Sequence, residues 1–555
     1  MKLKSWHYIV LFLILSFFSF NTLLRSGYFP MHDDMQAMRV LQMDKCIKDG
    51  QIPCRWVPDM GYGYGYPQFI YYSPLPYYIM ECFHLGGLPI IDSVKAGIIL
   101  GFLLSGFAMF LLGRSLWGEV GGLVSSIFYL YAPYRASDIY TRGAIGEFWA
   151  LVFLPFIFWA ILEYIRTEKN RYRLYLSLSV AGLLTTHNIT SLVFAPMAVL
   201  WGGFLLFYFQ KKKLWLKIGL AGVWGIGLAA FFILPAVFEK RFAHVETMTM
   251  GYFNYLAHFV SLGQLFVFNH WGFGSSELGP YDDLSFSIGP WHWFFALLSL
   301  FLAVFYWKRK KEHSSLIIFF LFGLSLFSIF MTHQRSVFLW NSIGILSYLQ
   351  FPWRFLTLII FFLSLMVGII PFSVKQSWKK IFLGTVMILG VILLNWSYFR
   401  PRIWYQISDR EKFSGDLWEK QLTISIFDYL PIFAVAPPSE KAPDLPVFIE
   451  GMGTISEFTK GSDWQKGTIT SETETKLMLP LYYFPGMTVW VDKSKVLINY
   501  QNHLGLISFE APAGEHFFLV KLQRTPLRLA ADLFTLFSFI SLVWWLIYVK
   551  NNKSY

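Results

Sequence analysis

The chain has 555 residues, of which 55% are hydrophobic, 20% aromatic and only 14% charged. So few charges exclude an ordinary soluble domain, and its apolar runs are long enough to span a hydrocarbon core of about 30 Å. The net charge of +12 does not indicate nucleic acid as a partner, because the basic residues sit in short clusters between apolar runs, the pattern of loops kept on the cytoplasmic side.

The N-terminal MKLK and the apolar run after it lack a small-x-small cleavage site, so they read as a retained anchor, with a first span over about residues 6–24. A long outer segment, 25–93, follows. Spans two and three, about 94–112 and 119–133, flank an inner turn at Arg114. Span four, about 147–165, ends in the basic run RTEKNRYR; span five, about 174–187, is short and ends at TTHNIT, and span six, about 190–209, runs into QKKK. Span seven, about 216–236, leads to an outer loop over 237–287, and WKRKKEHS closes span eight. Span nine, about 315–331, an outer loop ending SYLQFPWRF, a tenth span ending near Ser373 and an eleventh over about 380–397 complete the body. Every basic cluster falls on one side, which predicts a multi-pass protein of the plasma or inner membrane with about twelve helices and both termini cytoplasmic.

Residues 398–525 are polar, and runs such as VFIEGM, MTVWVDKSKVLINY, LISFEA and HFFLVKL alternate or are β-branched between turn signals. They predict a small extracytoplasmic β-sandwich. The expected organisation is a polytopic domain over 1–397, a β-rich domain over 398–525, and a last span with a cytoplasmic tail over 526–555.

All three cysteines, Cys46, Cys54 and Cys82, fall in the first outer segment. A Cys46–Cys54 disulfide and three free thiols are both open there. The same segment starts with His32, Asp33 and Asp34. One Asp there suits the N-cap of a helix carrying Met31, Met35 and Met38. Two adjacent carboxylates call for something more, since like charges raise each other's pKa unless a cation, a basic substrate group or a metal is near. Cap and site remain open on these residues. Arg55 and Trp56 then head a run rich in Gly, Pro and Tyr, which reads as a belt lying flat on the outer leaflet, with Gly61, Gly63 and Gly65 allowing a close backbone approach. Arg135, Asp138, Arg142 and Glu147 occupy the next outer loop, on the side where positive charge is disfavoured. His187 and Asn188 lie at the end of a short span; Gln350 and Arg354 lie where the chain re-enters the membrane, and Arg354 suits either a lipid headgroup or a forked grip on phosphate.

An acidic motif after the first span, a many-span body and an outer β domain together resemble the C-type (GT-C) glycosyltransferase superfamily. More narrowly, HDD at His32–Asp34, YTRGAIGE at Tyr140–Glu147, TTHN at Thr185–Asn188 and LQFPWRF at Leu349–Phe355 resemble a bacterial and archaeal family of polytopic proteins labelled as related to 6-pyruvoyl-tetrahydropterin synthase. The chemistry in that label, a zinc site of three histidines with a catalytic cysteine, finds no match in the scattered histidines of this chain. The superfamily resemblance implies a GT-C-like fold and transfer of a sugar from a polyprenyl-phosphate donor to an extracytoplasmic glycan or protein acceptor. It implies catalytic roles for Asp33, Asp34 and Glu147, and substrate contacts from His32, Arg55, Arg142, His187, Asn188, Gln350 and Arg354. A divalent metal held by Asp33, Asp34 and Asp138 is left open. The rival reading is a non-catalytic transporter, flippase or scaffold for envelope lipids; against it, few charges fall deep in the expected spans.

Overall fold

The computed structural model describes residues 5–268, 270–279, 281–308 and 312–551. Among these, eight helices are long and apolar enough to cross a membrane, or nine if the bent pair Lys212–Leu228 and Ala230–Phe238 forms one span. That count differs from the expected twelve, and part of the difference is physical. The helix Ile90–Leu130, counted once, reverses direction at Gly118, whose φ of 74° belongs to the left-handed region that glycine adopts without strain. In a straight helix Gly106 and Ser126 would lie about 30 Å apart; here Ser126 Oγ donates to the Gly106 carbonyl at 2.7 Å. The element is a hairpin of two packed arms. The apolar helix Ser5–Ser16, of 12 residues, and the helix Asn170–Leu184, of 15, are shorter than the eight.

The bent pair shows how the bundle satisfies a broken helix. Pro235 has no N–H, so the carbonyl four residues earlier, on Phe231, loses its helical donor. Arg55 Nη2 supplies one at 3.3 Å. The Phe231 N–H, orphaned by the break, donates to Thr535 Oγ1 at 2.8 Å. In an apolar setting each such group costs several kcal/mol if unpaired, about the scale of a lost hydrogen bond or more. The final apolar helix, Pro526–Asn551, is thereby fastened to the break.

Eight strands form two antiparallel sheets: β1 (Val447–Glu450), β4 (Thr475–Tyr482) and β7 (Leu506–Ala511) in one, and β2 (Gly453–Lys460), β3 (Trp464–Ser471), β8 (Gly514–Leu522), β5 (Met487–Val491) and β6 (Ser494–Val496) in the other. Val489 and Val520 from one sheet and Leu477 and Leu479 from the other are fully buried, and Phe509 meets Phe518 across the two at 5.7 Å. Alternation in β3, with Gln465, Gly467, Ile469 and Ser471 inward, is the period-two pattern of a sandwich. The β5–β6 turn at Asp492 and Lys493 has positive φ at both residues, as a tight hairpin requires.

The first long segment does not lie flat as a belt. It folds into a saddle between bundle and sandwich. Cys46 and Cys54 form a disulfide. Asp49 Oδ2 accepts from the Ser462 N–H at 2.7 Å and from its hydroxyl at 2.8 Å, and the Tyr482 N–H donates to the Tyr64 carbonyl at 3.1 Å. The Gly61–Gly65 run packs against Trp56, Tyr482 and Ala442, so its close approach is to the protein itself.

Candidate active site

Asp33 and Asp34 are not helix caps. The helix starts at Gln36, its N-cap position is Met35, and no side chain caps it. The acidic pair lies in the turn before it, held by main-chain bonds: the His32 N–H donates to the Thr141 carbonyl and the Asp33 N–H to the Arg142 carbonyl, both at 3.0 Å. Gln36 completes the junction, its Nε2 donating to the carbonyls of Asp33 at 2.9 Å and Gly143 at 2.8 Å. Gly143 ends the wide π-helical turn Ser137–Arg142 with a φ of 67°, and a Cβ there would collide with Met31 Sδ. Backbone conformation and packing both select glycine at this place.

The two carboxylates have different partners. Asp33 Oδ2 accepts from Arg39 Nη1 at 2.7 Å and from Gln36 Nε2 at 3.0 Å. Arg39 is buried and stacks over the Tyr72 ring at 4.1 Å. Asp34 Oδ2 accepts from Lys412 Nζ at 2.8 Å, while its Oδ1 has no hydrogen-bond partner. Burial raises the Asp34 pKa; Lys412 opposes that rise, and Asp33 adds to it. Both side chains stay partly open, at 31% for Asp33 and 26% for Asp34. Asp428, close to Asp33 and Arg39, is pushed up to about 6, first by burial and then by the Asp33 charge.

Behind this pair lies a buried charge cluster. Arg142 donates through Nη1 to Asp138 Oδ1, and through Nη2 to Glu147 Oε2 at 3.0 Å. Its guanidinium lies over Trp353 at 4.4 Å. Glu147 Oε1 accepts from the Tyr134 hydroxyl at 2.5 Å and the Thr357 hydroxyl at 2.8 Å. Arg354 Nε stands 3.7 Å from Glu147 Oε2. Arg135 is fully buried among Phe102, Tyr129 and Phe148, with one donor to Ser105 Oγ and with Nε and Nη1 unpaired. Three guanidiniums thus face two carboxylates, an excess of positive charge suited to an anion.

The fold brings Asp33, Asp34, Arg142, Glu147 and Arg354 to this one junction, but several expected substrate contacts go elsewhere. The carboxylate of Glu147 is 1% exposed with both oxygens accepting, so it does not reach a substrate here. Arg55 pairs with Asp532, Nη2 to Oδ1 at 2.6 Å, and serves the broken helix. Gln350 donates to the Met248 carbonyl, and His32 Nε2 to the Phe273 carbonyl, both at 2.9 Å. His187 caps the helix Asn188–Tyr208 by accepting from the Thr190 N–H, and Asn188 Oδ1 accepts from Ser73 at 3.1 Å. Asp33, Asp34 and Asp138 each have their own cation, and among the described residues no three His, Cys, Asp or Glu groups converge on a metal position. The donor set does not fit the divalent ion left open by the sequence. The residues missed were Arg39, Lys412 and Asp428; the last two come from the far end of the chain, and no local signal marks them.

These features define a polytopic membrane protein whose spans and first long segment, with Lys412 and Asp428 from the segment that precedes the sandwich, share one polar junction. Residues 69–402 match the model of a family described as the 6-pyruvoyl-tetrahydropterin synthase related domain of membrane proteins, and the chain belongs to that family. A Lactococcus lactis subsp. cremoris protein is 26% identical over 276 residues, 48% of this chain and 43% of that protein, so the match spans less than half of that relative's length. Among solved structures, the Archaeoglobus fulgidus oligosaccharyltransferase in its apo form aligns at TM-score 0.47 and 10% identity, over 80% of this chain and 61% of its own. Arabinofuranosyltransferase AftD from Mycobacteria aligns at 0.47 and 12%, over 73% and 28%. ArnT from Cupriavidus metallidurans bound to undecaprenyl phosphate aligns at 0.34 and 12%, over 70% and 64%. Likenesses at these scores are too slight to assign an activity.

Proposed function

We propose that this protein is a glycosyltransferase of the plasma or inner membrane that moves a sugar from a polyprenyl-phosphate donor to an acceptor outside the cell. The observation that carries the reading is the junction of two opposite groups: the carboxylate of Asp34, 26% exposed and with a buried, unpaired Oδ1, and behind it an arginine-rich cluster, Arg142 and Arg354, joined through the Asp33–Arg142 main-chain bond. Attack on the anomeric carbon of a lipid-phosphate sugar needs both. The acceptor hydroxyl oxygen attacks that carbon, its proton passes to the Asp34 carboxylate, and the bond to the phosphate oxygen breaks with the electron pair leaving on phosphate. Arg354 and Arg142 stabilise the negative charge that develops there. Glu147 orients the two guanidiniums, and Arg39 fixes Asp33 beside the base.

A lipid tail has a place to lie. A cavity of about 430 Å³ is bounded by apolar side chains of the helices Leu75–Leu85, Ile145–Thr167 and Asn170–Leu184, including Tyr78, Trp149, Phe153 and Leu178, and reaches Thr185, two residues from His187. The test is substitution of the acids in a deletion strain. With general-base catalysis worth about 10²–10⁴-fold, Asp34→Asn is expected to be expressed and folded while the donor lipid accumulates and the surface glycan is lost, and Asp33→Asn to be impaired. Full complementation by both variants would overturn the reading.

A further inference from the structure

A second cavity, of about 600 Å³, opens on the sandwich, and neither Asp33 nor Asp34 lines it. It lies between the segment Leu497–Gln501 and the strands β4 and β7, where Phe509 and Glu510 form its wall. Three properties identify what it takes. The first is an ordered ring. Tyr500 stacks on Tyr483 with centroids 3.9 Å apart and planes within 6°, and Phe433 meets both edge-on at 4.9 and 5.0 Å. Such a ring offers area without an ordering cost on binding. The second is an apolar lip: Leu497 is 94% exposed.

The third is a polar rim without spare positive charge. Asn499 Oδ1 accepts from the Gln501 N–H at 2.9 Å, which fixes the amide and leaves its NH2 free to donate. Gln501 and Glu510 are exposed, and Lys476, the one cation on the rim among the described residues, is paired with Glu450 at 3.0 Å. With Lys476 neutralised, a phosphate or other polyanion meets the Glu510 carboxylate without a free cation among the described residues to offset it. Donors and acceptors of both kinds beside a ring and an apolar lip instead suit a neutral polyhydroxylated ligand.

We propose that this groove binds a neutral saccharide chain. Its description as the acceptor rests on the transferase reading; the binding itself does not. Phe433 lies five residues after Asp428, so the aromatic stack is tethered within about 18 Å of the acidic site along the chain.

The test uses full-length protein in a non-glycosidic detergent, applied to immobilised neutral oligosaccharides of hexose, deoxyhexose and pentose units, with heparin as the polyanionic contrast. Wild type is expected to bind at least one neutral oligosaccharide. Tyr500→Ala is expected to weaken that binding tenfold or more, and Gln501→Ala, at an exposed position outside the strands, to weaken it measurably. Asp34→Asn is expected to bind as wild type does while losing transfer. Absence of binding to every neutral oligosaccharide, binding to heparin alone, or equal binding by both groove variants would overturn the inference and leave the transferase reading standing.

Discussion

The main-chain N–H of Asp33 donates to the carbonyl of Arg142 at 3.0 Å, and the two side chains then turn to different tasks. Asp33 turns to Arg39, and Arg142 to Asp138 and Glu147. One backbone contact thus registers an acidic turn from the start of the chain against a basic turn more than a hundred residues later. The consequences are open to measurement.

Lys412 tunes the base. Its ammonium lies 2.8 Å from Asp34 Oδ2 and opposes the rise that burial causes. Lys412→Met keeps most of the stem and removes the charge. The protonated form of Asp34 then gains, so the acid limb of the pH–activity profile is expected to move to higher pH. An unmoved limb would mean that Asp34 is not the group that limits the rate at low pH.

Glu147, itself buried, holds two largely buried guanidiniums. Glu147→Gln leaves those charges without their common counter-ion. Breaking a buried pair in this way costs about 3–5 kcal/mol, so a clear fall in melting temperature and loss of bound donor lipid are expected together. A variant with wild-type melting and lost activity would return Glu147 to a direct catalytic role.

Arg55 answers the opposite question. Its guanidinium is engaged by Asp532 and by the Phe231 carbonyl that Pro235 leaves unpaired. Arg55→Met is expected to lower the melting temperature and leave kcat/KM of the folded fraction unchanged. A normal melting temperature with a raised KM would show that Arg55 touches substrate.

Much of the fold was legible in the sequence. The hydrophobic runs and basic clusters pointed to the polytopic body, and the alternating runs to β1, β5, β7 and β8. Strands β2, β3 and β4 were not evident; in β2 and β3, TISEFTK and WQKGTITS pair polar residues that look like loop until a neighbouring strand covers one face. The acidic pair was visible, but its partners were not. Lys412 sits 378 residues from Asp34, and no periodicity links positions so far apart. The saddle was misread for a related reason: an aromatic run rich in glycine looks alike whether it meets lipid or a folded domain.

Glu81 gives a pH dependence independent of catalysis. It is buried in the helix Leu75–Leu85 beside Asp44, and burial, then the Asp44 charge and a carboxyl–carboxylate hydrogen bond with it, push it up to about 8. The folded protein therefore holds a proton that the unfolded chain releases near the usual carboxylate range. Stability from this group is complete below about 4.5 and is lost as pH rises toward 8. Melting temperature is expected to fall across that window in wild type and to fall less steeply in Glu81→Gln; identical slopes would contradict the assignment.

The most direct measurement of the central claim is native mass spectrometry of the gently purified protein, with wild type, Arg354→Ala and Asp34→Asn side by side. The expected result is a co-purified polyprenyl-phosphate or its sugar adduct on wild type and on Asp34→Asn, lost from a folded Arg354→Ala. Bulk phospholipid alone on all three would contradict the account, and the junction of Asp34 with the arginine cluster would then be a structural seam rather than a site of transfer.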